Sequence, residues 1–205
     1  MDADATAGKG RGSVSLPWLT ALLVALAGFL WWSAGPAPEA LVFDRSAIAG
    51  GELWRLITGH LVHGDAGHAL WDIGALAAIG MMMEPQGRWR MAGALIAGIA
   101  AVNVCLWWFM PGLEYYCGLS GVLNALFVVA LADLWKMYRH PVFLFGGLGL
   151  GAKLAVEITL SQSLFVSTTW PAVPLAHLAG CIGGLALLAV AMQCNCQCDL
   201  RHAKQ

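Results

Sequence analysis

Tyr116–Gly121, with the sequence YCGLSG, begins an apolar stretch that continues to Leu134. A second apolar segment, Pro174–Gly184 (PLAHLAGCIGG), contains one histidine, His177. Ser120 and His177 therefore each lie in a segment that is apolar enough to enter a bilayer. A serine hydroxyl becomes a good nucleophile only when a base removes its proton. The two segments predict a nucleophile and its base within a membrane.

The composition identifies an integral membrane protein. Of the 205 residues, 59% are hydrophobic and 11% are charged, and the mean hydropathy is +0.70. Soluble domains carry about 25% charged residues. The net charge is −1 and the basic residues are scattered in ones and twos. No basic patch could follow a phosphate backbone, which excludes nucleic acid as a partner.

Six apolar runs are long enough to cross a bilayer at about 20 residues per helix. They cover residues 16–33, 66–83, 91–110, 119–135, 141–160 and 173–193. We therefore predict an all-α membrane protein with a six-helix domain over residues 16–193. Residues 1–15 form an N-terminal tail and residues 194–205 a C-terminal one. The first run also fits a signal peptide cleaved near residues 36–40, but the five spans behind it favour an uncleaved helix.

Basic residues divide unevenly between the two predicted sides of the membrane. A cytoplasmic N-terminus leaves only Arg45 and Arg55 outside. The cytoplasmic side then receives Lys9, Arg11, Arg88, Arg90, Lys136, Arg139, Arg201 and Lys204. The positive-inside rule thus predicts that both termini are cytoplasmic. The long segment 34–65 becomes an external, partly inserted loop.

The outer end of the second span is rich in polar side chains. Asp65 is placed to cap the helix, and His68 and Asp72 share one helix face because they are four residues apart. His60 and His63 precede the helix, separated from it by glycine. They are interpreted either as hydrogen-bonding groups that tie the loop to the bundle or as part of a metal or haem site. No H-E-x-x-H zinc motif occurs.

The C-terminal tail contains Cys194, Cys196 and Cys198, followed by His202. A soft metal could bind such residues, but the spacing differs from C-x-x-C pairs and no second half of a site follows. The cytoplasm is reducing, so a disulfide framework is not expected. We predict an unstructured tail, with no metal site and no cofactor.

Ser120 is predicted at the N-terminal end of the fourth helix. Unpaired backbone amides and the positive end of the helix dipole favour developing negative charge at that position. Gly118 and Gly121 leave room for close approach of a helix or a substrate, although a packing serine would have the same neighbours. Asn124, one turn later, is predicted to bridge helices or to donate within the cavity.

Lys153 and Glu157 form an i,i+4 pair inside the fifth span. An unpaired charge there would be expensive, so a structural ion pair is the default interpretation. Two sharper hypotheses are that the pair lines the side from which substrate approaches, or that Glu157 orients the catalytic histidine.

Together these motifs resemble the rhomboid family of intramembrane serine proteases. The resemblance covers residues 50–193 and rests on G-x-S-G at 118–121, H-x-x-G-x-x-x-G at 177–184, and Trp54-Arg55 before the second helix. It implies a six-helix rhomboid-like bundle that works without a cofactor.

The family resemblance also implies a site. His177 takes the proton from Ser120, and oxyanion donors come from a histidine and an asparagine, at positions matched here by His68 and Asp72. The asparagine is absent. Three roles for Asp72 stay open. It is neutral and donates a hydrogen bond to the oxyanion, or it orients His68, or the oxyanion is bound by His68 and the Ser120 amide alone.

Within the family, the chain is most similar to the bacterial rhombosortase branch, through residues 54–60, 116–123 and 176–180. That branch implies a location in the bacterial inner membrane with the site open to the periplasm. The substrates would be exported proteins with a C-terminal signal of a Gly-rich motif, one membrane helix and a basic cluster.

Two other functions stay open. One is a catalytically silent rhomboid-like protein that binds membrane clients, which the acid at Asp72 favours. The other is a metal- or haem-binding membrane protein built on His60, His63, His68 and His177.

Overall fold

The computed structural model describes residues 16–164 and 170–202, with side chains described through residue 194. The N-terminal tail and the side chains of Cys196, Cys198 and His202 lie outside the described residues. The elements in chain order are α1 (Trp18–Ala34), β1 (Phe43–Asp44), α2 (Arg45–Ala49), α3 (Arg55–Thr58), α4 (Ala66–Val104), a π-helix (Cys105–Phe109), β2 (Tyr115–Tyr116), α5 (Ser120–Tyr138), α6 (Val142–Leu160) and α7 (Pro174–His202).

The prediction of a helical membrane protein is confirmed. Among the described residues, four helices are long and apolar enough to cross a membrane: Ala66–Phe109, Ser120–Tyr138, Val142–Leu160 and Pro174–Cys194. Helix α1 is apolar but has only 17 residues. The six predicted spans are therefore not six separate long helices, because the second and third run together in α4.

Helix α4 folds back on itself at Gly87. The carboxylate of Asp72 accepts a hydrogen bond from Leu119 N, and a methyl on Gly121 would meet Val102. In a straight helix, residues 72 and 102 would be about 45 Å apart at 1.5 Å per residue. Since both contact residues 119–121, the helix must consist of two arms, which we call the first arm (66–86) and the second arm (88–109).

The backbone at the bend accounts for the reversal. Gly87 has a non-helical conformation (φ 178°, ψ 90°), and Pro85 precedes it inside the helix. Proline removes one amide donor from the helical ladder and its ring crowds the preceding turn. The break that the sequence analysis predicted between the second and third spans is thus present at Gly87, between the two arms of α4.

Helix α5 lies at the centre of the molecule, packed against both α4 and α7. Its residues Val122, Leu126 and Val129 are fully buried and form one core with Leu76 and Met91 from the two arms of α4. Helix α6 is mostly exposed, and only Leu154 and Glu157 among its residues are buried. A buried carboxylate on a helix otherwise facing outward is a conspicuous exception to the apolar pattern.

Helix α1 is held to the bend of α4 by Glu84. The Glu84 carboxylate accepts from Leu19 N (2.9 Å), Thr20 N (2.7 Å) and Thr20 Oγ1 (2.8 Å), and Arg88 donates to it at 2.9 Å. The first amides of a helix have no partner within the helix, so an acid from elsewhere satisfies them and complements the dipole.

The segment between α1 and α4 is ordered by two arginines and a short antiparallel ladder. Strand β1 pairs antiparallel with β2, which the sequence analysis did not predict because two-residue strands carry no detectable alternation. Arg45 donates to Leu113 O (3.0 Å) and Met110 O (2.9 Å). Arg55 donates to Val42 O at 2.9 Å and pairs with Glu52.

The C-terminal tail differs from its prediction. The sequence analysis expected residues 194–205 to be unstructured, whereas the backbone of α7 stays helical to His202. No glycine or proline occurs in residues 194–202, so no residue there stops the helix that precedes it.

Candidate active site

Ser120 is the first residue of α5, and no side chain caps that helix end. Leu119, which precedes it, is in the N-cap position and donates its amide to Asp72 instead. The Ser120 hydroxyl is partly exposed, while the surrounding residues 116–119 are buried. The arrangement leaves the serine at the positive end of a helix with its side chain directed to a cavity.

His177 lies in the first turn of α7 and faces Ser120. Its Nε2 atom is 2.8 Å from Ser120 Oγ, which is hydrogen-bonding distance. Close packing of the helix backbones makes this contact possible, because a methyl on Gly180 would collide with the carbonyl of Gly121. The small residues next to each motif therefore set the spacing of the serine and the histidine.

The other ring nitrogen of His177 contacts Glu157 on α6. The distance from Nδ1 to Glu157 Oε2 is 2.8 Å. The same oxygen accepts from Lys153 Nζ at 2.8 Å, and Oε1 accepts from Leu164 N at 3.1 Å. The Glu157 side chain is fully buried. The Lys153 and Glu157 side chains thus form the ion pair that their spacing predicted, and the pair reaches the histidine.

The Asp72 carboxylate lies close to one backbone amide and two imidazole rings. Its Oδ2 atom lies 2.8 Å from Leu119 N and 3.4 Å from both His63 Nε2 and His68 Nε2. The two imidazole rings meet edge to face, with centroids 5.2 Å apart. Asp72 therefore contacts His68, as the shared helix face predicted, but it also contacts His63 and the backbone next to Ser120.

Gly118 provides the space that His68 occupies. Its φ is +122°, and a Cβ atom there would lie 2.5 Å from His68 Nε2. Both the backbone conformation and the close imidazole ring require glycine. The Gly118 carbonyl accepts from the Tyr116 hydroxyl at 3.0 Å, a buried contact that the sequence analysis missed, since a tyrosine in a two-residue strand has no distinctive pattern.

A small cavity of about 40 Å³ opens beside the serine. Its lining includes His68, Asp72, Tyr116, Ser120, Trp170 and His177. The cavity joins the two polar clusters, with the Ser120 hydroxyl between them. Its size admits a very small group only.

Asn124 does not point its amide into this cavity. Its Nδ2 donates to Ser120 O, one turn earlier in the same helix, at 2.7 Å. Its Oδ1 lies 4.0 Å from Cys181 Sγ on α7. Asn124 thus mainly buttresses the first turn of α5, with a long contact across to α7.

Burial keeps two further groups near the site, His60 and Cys117, in their neutral forms. His60 is buried, its ring packs edge to face on Tyr116, and burial lowers its pKa from 6.5 to about 4. Burial likewise raises the pKa of the Cys117 thiol to about 12. A thiol held protonated is a poor nucleophile, so Cys117 does not compete with the serine.

His60, His63 and His68 are not gathered around one point. Within the part of the chain whose side chains are described, no group of three or more His, Cys, Asp and Glu side chains is arranged to hold a metal ion. His60 faces Tyr116, whereas His63 and His68 face Asp72. The candidate ligands Cys196, Cys198 and His202 fall outside this region.

Comparisons with known proteins match the part of the chain that contains the site. The Rhomboid domain matches residues 50–194, which include both the serine and histidine motifs. A curated protein of Arabidopsis thaliana, "RHOMBOID-like protein 5", is 30% identical over 102 residues. That alignment spans 47% of this chain and 33% of the relative, so the chain covers about a third of the relative's length.

Proposed function

Because the chain belongs to the rhomboid domain family, matched over residues 50–194, we propose that it is an intramembrane serine protease. Ser120 is the nucleophile and His177 the general base. The observation that supports this most directly is the 2.8 Å hydrogen bond between Ser120 Oγ and His177 Nε2. The reaction requires no metal and no cofactor.

The chemistry follows from that contact. His177 Nε2 takes the hydroxyl proton as Ser120 Oγ attacks the peptide carbonyl, and it then gives the proton to the leaving amine. Water, activated by the same nitrogen, hydrolyses the acyl-enzyme. The two steps regenerate the free serine, so one histidine serves as base and acid in turn.

The negative charge on the tetrahedral intermediate develops at the start of α5. We propose that the Ser120 amide, the positive end of the α5 dipole and His68 stabilise it. Asp72 holds His68 in place in the resting protein. An ionised Asp72 accepts hydrogen bonds but cannot donate one, so it does not take the part of an asparagine donor.

We propose that the two arms of α4 each cross the membrane and that α1 adds a further crossing, which gives six spans. The positive-inside rule then supports cytoplasmic termini, and the resemblance to rhombosortases motivates a bacterial inner membrane. Ser120, at the end of α5 nearest the 35–65 segment, opens to the periplasm.

The proposed substrates are exported membrane-anchored proteins with a C-terminal sorting signal composed of a Gly-rich motif, one helix and a basic cluster. The resemblance to rhombosortases motivates this class. The cavity of about 40 Å³ beside Ser120 is consistent with it, because glycine is the residue whose absent side chain suits so small a space.

A second candidate function is a catalytically silent protein that binds such clients. The observation that favours it is the Asp72 carboxylate, 2.8 Å from Leu119 N, beside the position where an oxyanion would form. A negative charge there opposes the reaction unless it is protonated or displaced.

Co-expression with a tagged exported protein that ends in a Gly-Gly motif, a helix and a basic tail distinguishes the two. The protease shortens the tagged protein, and Ser120→Ala and His177→Ala each abolish the shortening. A silent binder leaves the protein intact but retains it in a co-purified complex. Shortening that persists in Ser120→Ala refutes Ser120 as the nucleophile.

A further inference from the structure

Glu157 is placed behind His177 in the manner of the acid in a serine-protease triad. We propose that it is a positioning residue, which fixes the proton of His177 on Nδ1 and stabilises the imidazolium that forms during the reaction. This inference rests on the proposed function. It adds a third residue, Glu157, to the proton-transfer dyad of Ser120 and His177 that the family resemblance implies.

The geometry links three helices in one line. Ser120 Oγ on α5 lies 2.8 Å from Nε2 of His177 on α7, and Nδ1 of the same ring lies 2.8 Å from Glu157 Oε2 on α6. The imidazole thus has one partner at each nitrogen. A ring held at both nitrogens has a defined orientation, which is what proton transfer to and from the serine requires.

The charge on Glu157 determines which nitrogen carries the proton. Oε2 accepts from Lys153 Nζ at 2.8 Å and Oε1 accepts from Leu164 N at 3.1 Å. A carboxylate with these partners is ionised and can only accept from His177. Nδ1 must then donate, which leaves the lone pair of Nε2 facing the Ser120 hydroxyl, as a general base needs.

The burial of Glu157 favours a role beyond an ion pair with Lys153. A surface pair at i,i+4 needs no third partner, yet the Glu157 side chain is fully buried while that of Lys153 is 18% exposed. The partners of Glu157 come not only from α6 but also from α7 and from the segment after α6. The carboxylate faces His177, and the lysine partly neutralises it from the other side.

The charged and titratable groups around His177 come from each helix packed against it. On α6 they are Glu157 and Lys153, and Asp72 and His68 of the first arm line the same cavity. Ser120 is its partner on α5. Glu157 and Lys153 have opposite charges at the Nδ1 side, so their removal must move the titration of the site in opposite directions.

The test uses the full chain in detergent and a fluorophosphonate probe, which reports the reactivity of the serine without any natural substrate. The labelling rate is measured against pH. Glu157→Gln should lower the maximum rate on the order of 10²- to 10⁴-fold, by analogy with loss of the triad acid in serine proteases. Glu157→Gln should also move the acidic limb of the labelling-rate profile to lower pH, because the carboxylate that stabilises the His177 imidazolium is gone.

Three further variants make the test specific. Lys153→Met should move the acidic limb to higher pH, because the charge that opposes the imidazolium is gone. Glu157→Asp should restore part of the rate lost in Glu157→Gln, since it keeps a carboxylate with a shorter reach. Asp133→Asn breaks the Arg90–Asp133 ion pair between α4 and α5 and, as the matched carboxylate control, should leave the profile unchanged.

A measurement on the unaltered protein covers the case in which a Glu157 variant does not fold. Selective ¹⁵N labelling of histidine, assigned with His177→Ala, should show the His177 proton on Nδ1. A proton on Nε2 overturns the proposal, as does a Glu157→Gln profile equal to that of the unaltered protein. The proposal is also overturned if the acidic limb of the labelling-rate profile moves in the same direction in Glu157→Gln and in Lys153→Met. Failure of the unaltered protein to label at any pH instead refutes the protease function itself.

Discussion

The close spacing of α5 and α7 predicts that Gly180→Ala, which adds a single methyl group, greatly lowers the reactivity of Ser120. A Cβ atom at residue 180 would run into the backbone carbonyl of Gly121, where no flexible side chain can move aside. Real Cβ contacts shorter than 3.0 Å essentially never occur. The two helices must therefore separate by about 1 Å or more at this point.

That separation acts directly on the reacting groups. Gly121 is adjacent to Ser120, and Gly180 lies one turn after His177. Moving the helices apart by about 1 Å lengthens the 2.8 Å contact between Ser120 Oγ and His177 Nε2 to nearly 4 Å, beyond hydrogen-bonding distance. A misplacement of about 1 Å at a reacting centre lowers rates by about 10²-fold. Overpacking also destabilises the fold by about 1–3 kcal/mol.

Fluorophosphonate labelling rates and thermal unfolding in detergent separate the two effects. Gly183→Ala is the matched control, because its methyl would meet the Ala97 carbonyl at 2.6 Å on the second arm of α4, away from the serine. It should lose similar stability but much less of the rate. Gly149→Ala, with no atom within 4 Å of its Cβ, should change neither. Labelling of Gly180→Ala within about threefold of the unaltered protein would refute this reasoning.

Three further predictions concern the polar residues around the core. Asp72→Asn should raise the labelling rate about tenfold, since its amide can donate to an oxyanion, and should lower stability by about 1–2 kcal/mol at Leu119 N; a slower enzyme would mean that the carboxylate is needed. Glu84→Ala should lower the free energy of unfolding by about 2–4 kcal/mol, because the amides of Leu19 and Thr20 and the Thr20 hydroxyl lose their acceptor; a change in the free energy of unfolding below about 1 kcal/mol contradicts the role given to Glu84. His60 has its folded pKa lowered from 6.5 to about 4, so the unfolded chain binds the proton first and stability should fall by up to about 3 kcal/mol as pH drops through that window. His60→Gln should flatten this part of the Tm profile against pH, and an unchanged slope would assign it to other groups.

Much of the helical architecture could be predicted from the sequence, because long apolar runs have few alternatives in a bilayer. Ser120 begins α5, as the start of the fourth apolar run predicted, and Asp65 caps α4 by accepting from His68 N. These features are local, and local rules of capping and hydropathy are sufficient to find them. The pairing of Lys153 with Glu157 follows in the same way from their i,i+4 spacing.

Other features depend on which helices pack together, which no local pattern records. The contact of Glu157 with His177 needs α6 to lie against α7, and the contact of His63 with Asp72 needs the loop to fold over the first arm. The pairing of β1 with β2 joins residues more than 70 positions apart. The helical C-terminal tail was missed for a different reason, since its polar composition was taken as a break in the helix.

The most direct test of the central claim is to label the purified protein with the fluorophosphonate probe and locate the adduct by peptide mass spectrometry. The account predicts a single adduct on Ser120 that is absent from His177→Ala. An adduct on another residue, or full labelling of Ser120 in His177→Ala, would contradict the assignment of Ser120 as a nucleophile activated by His177.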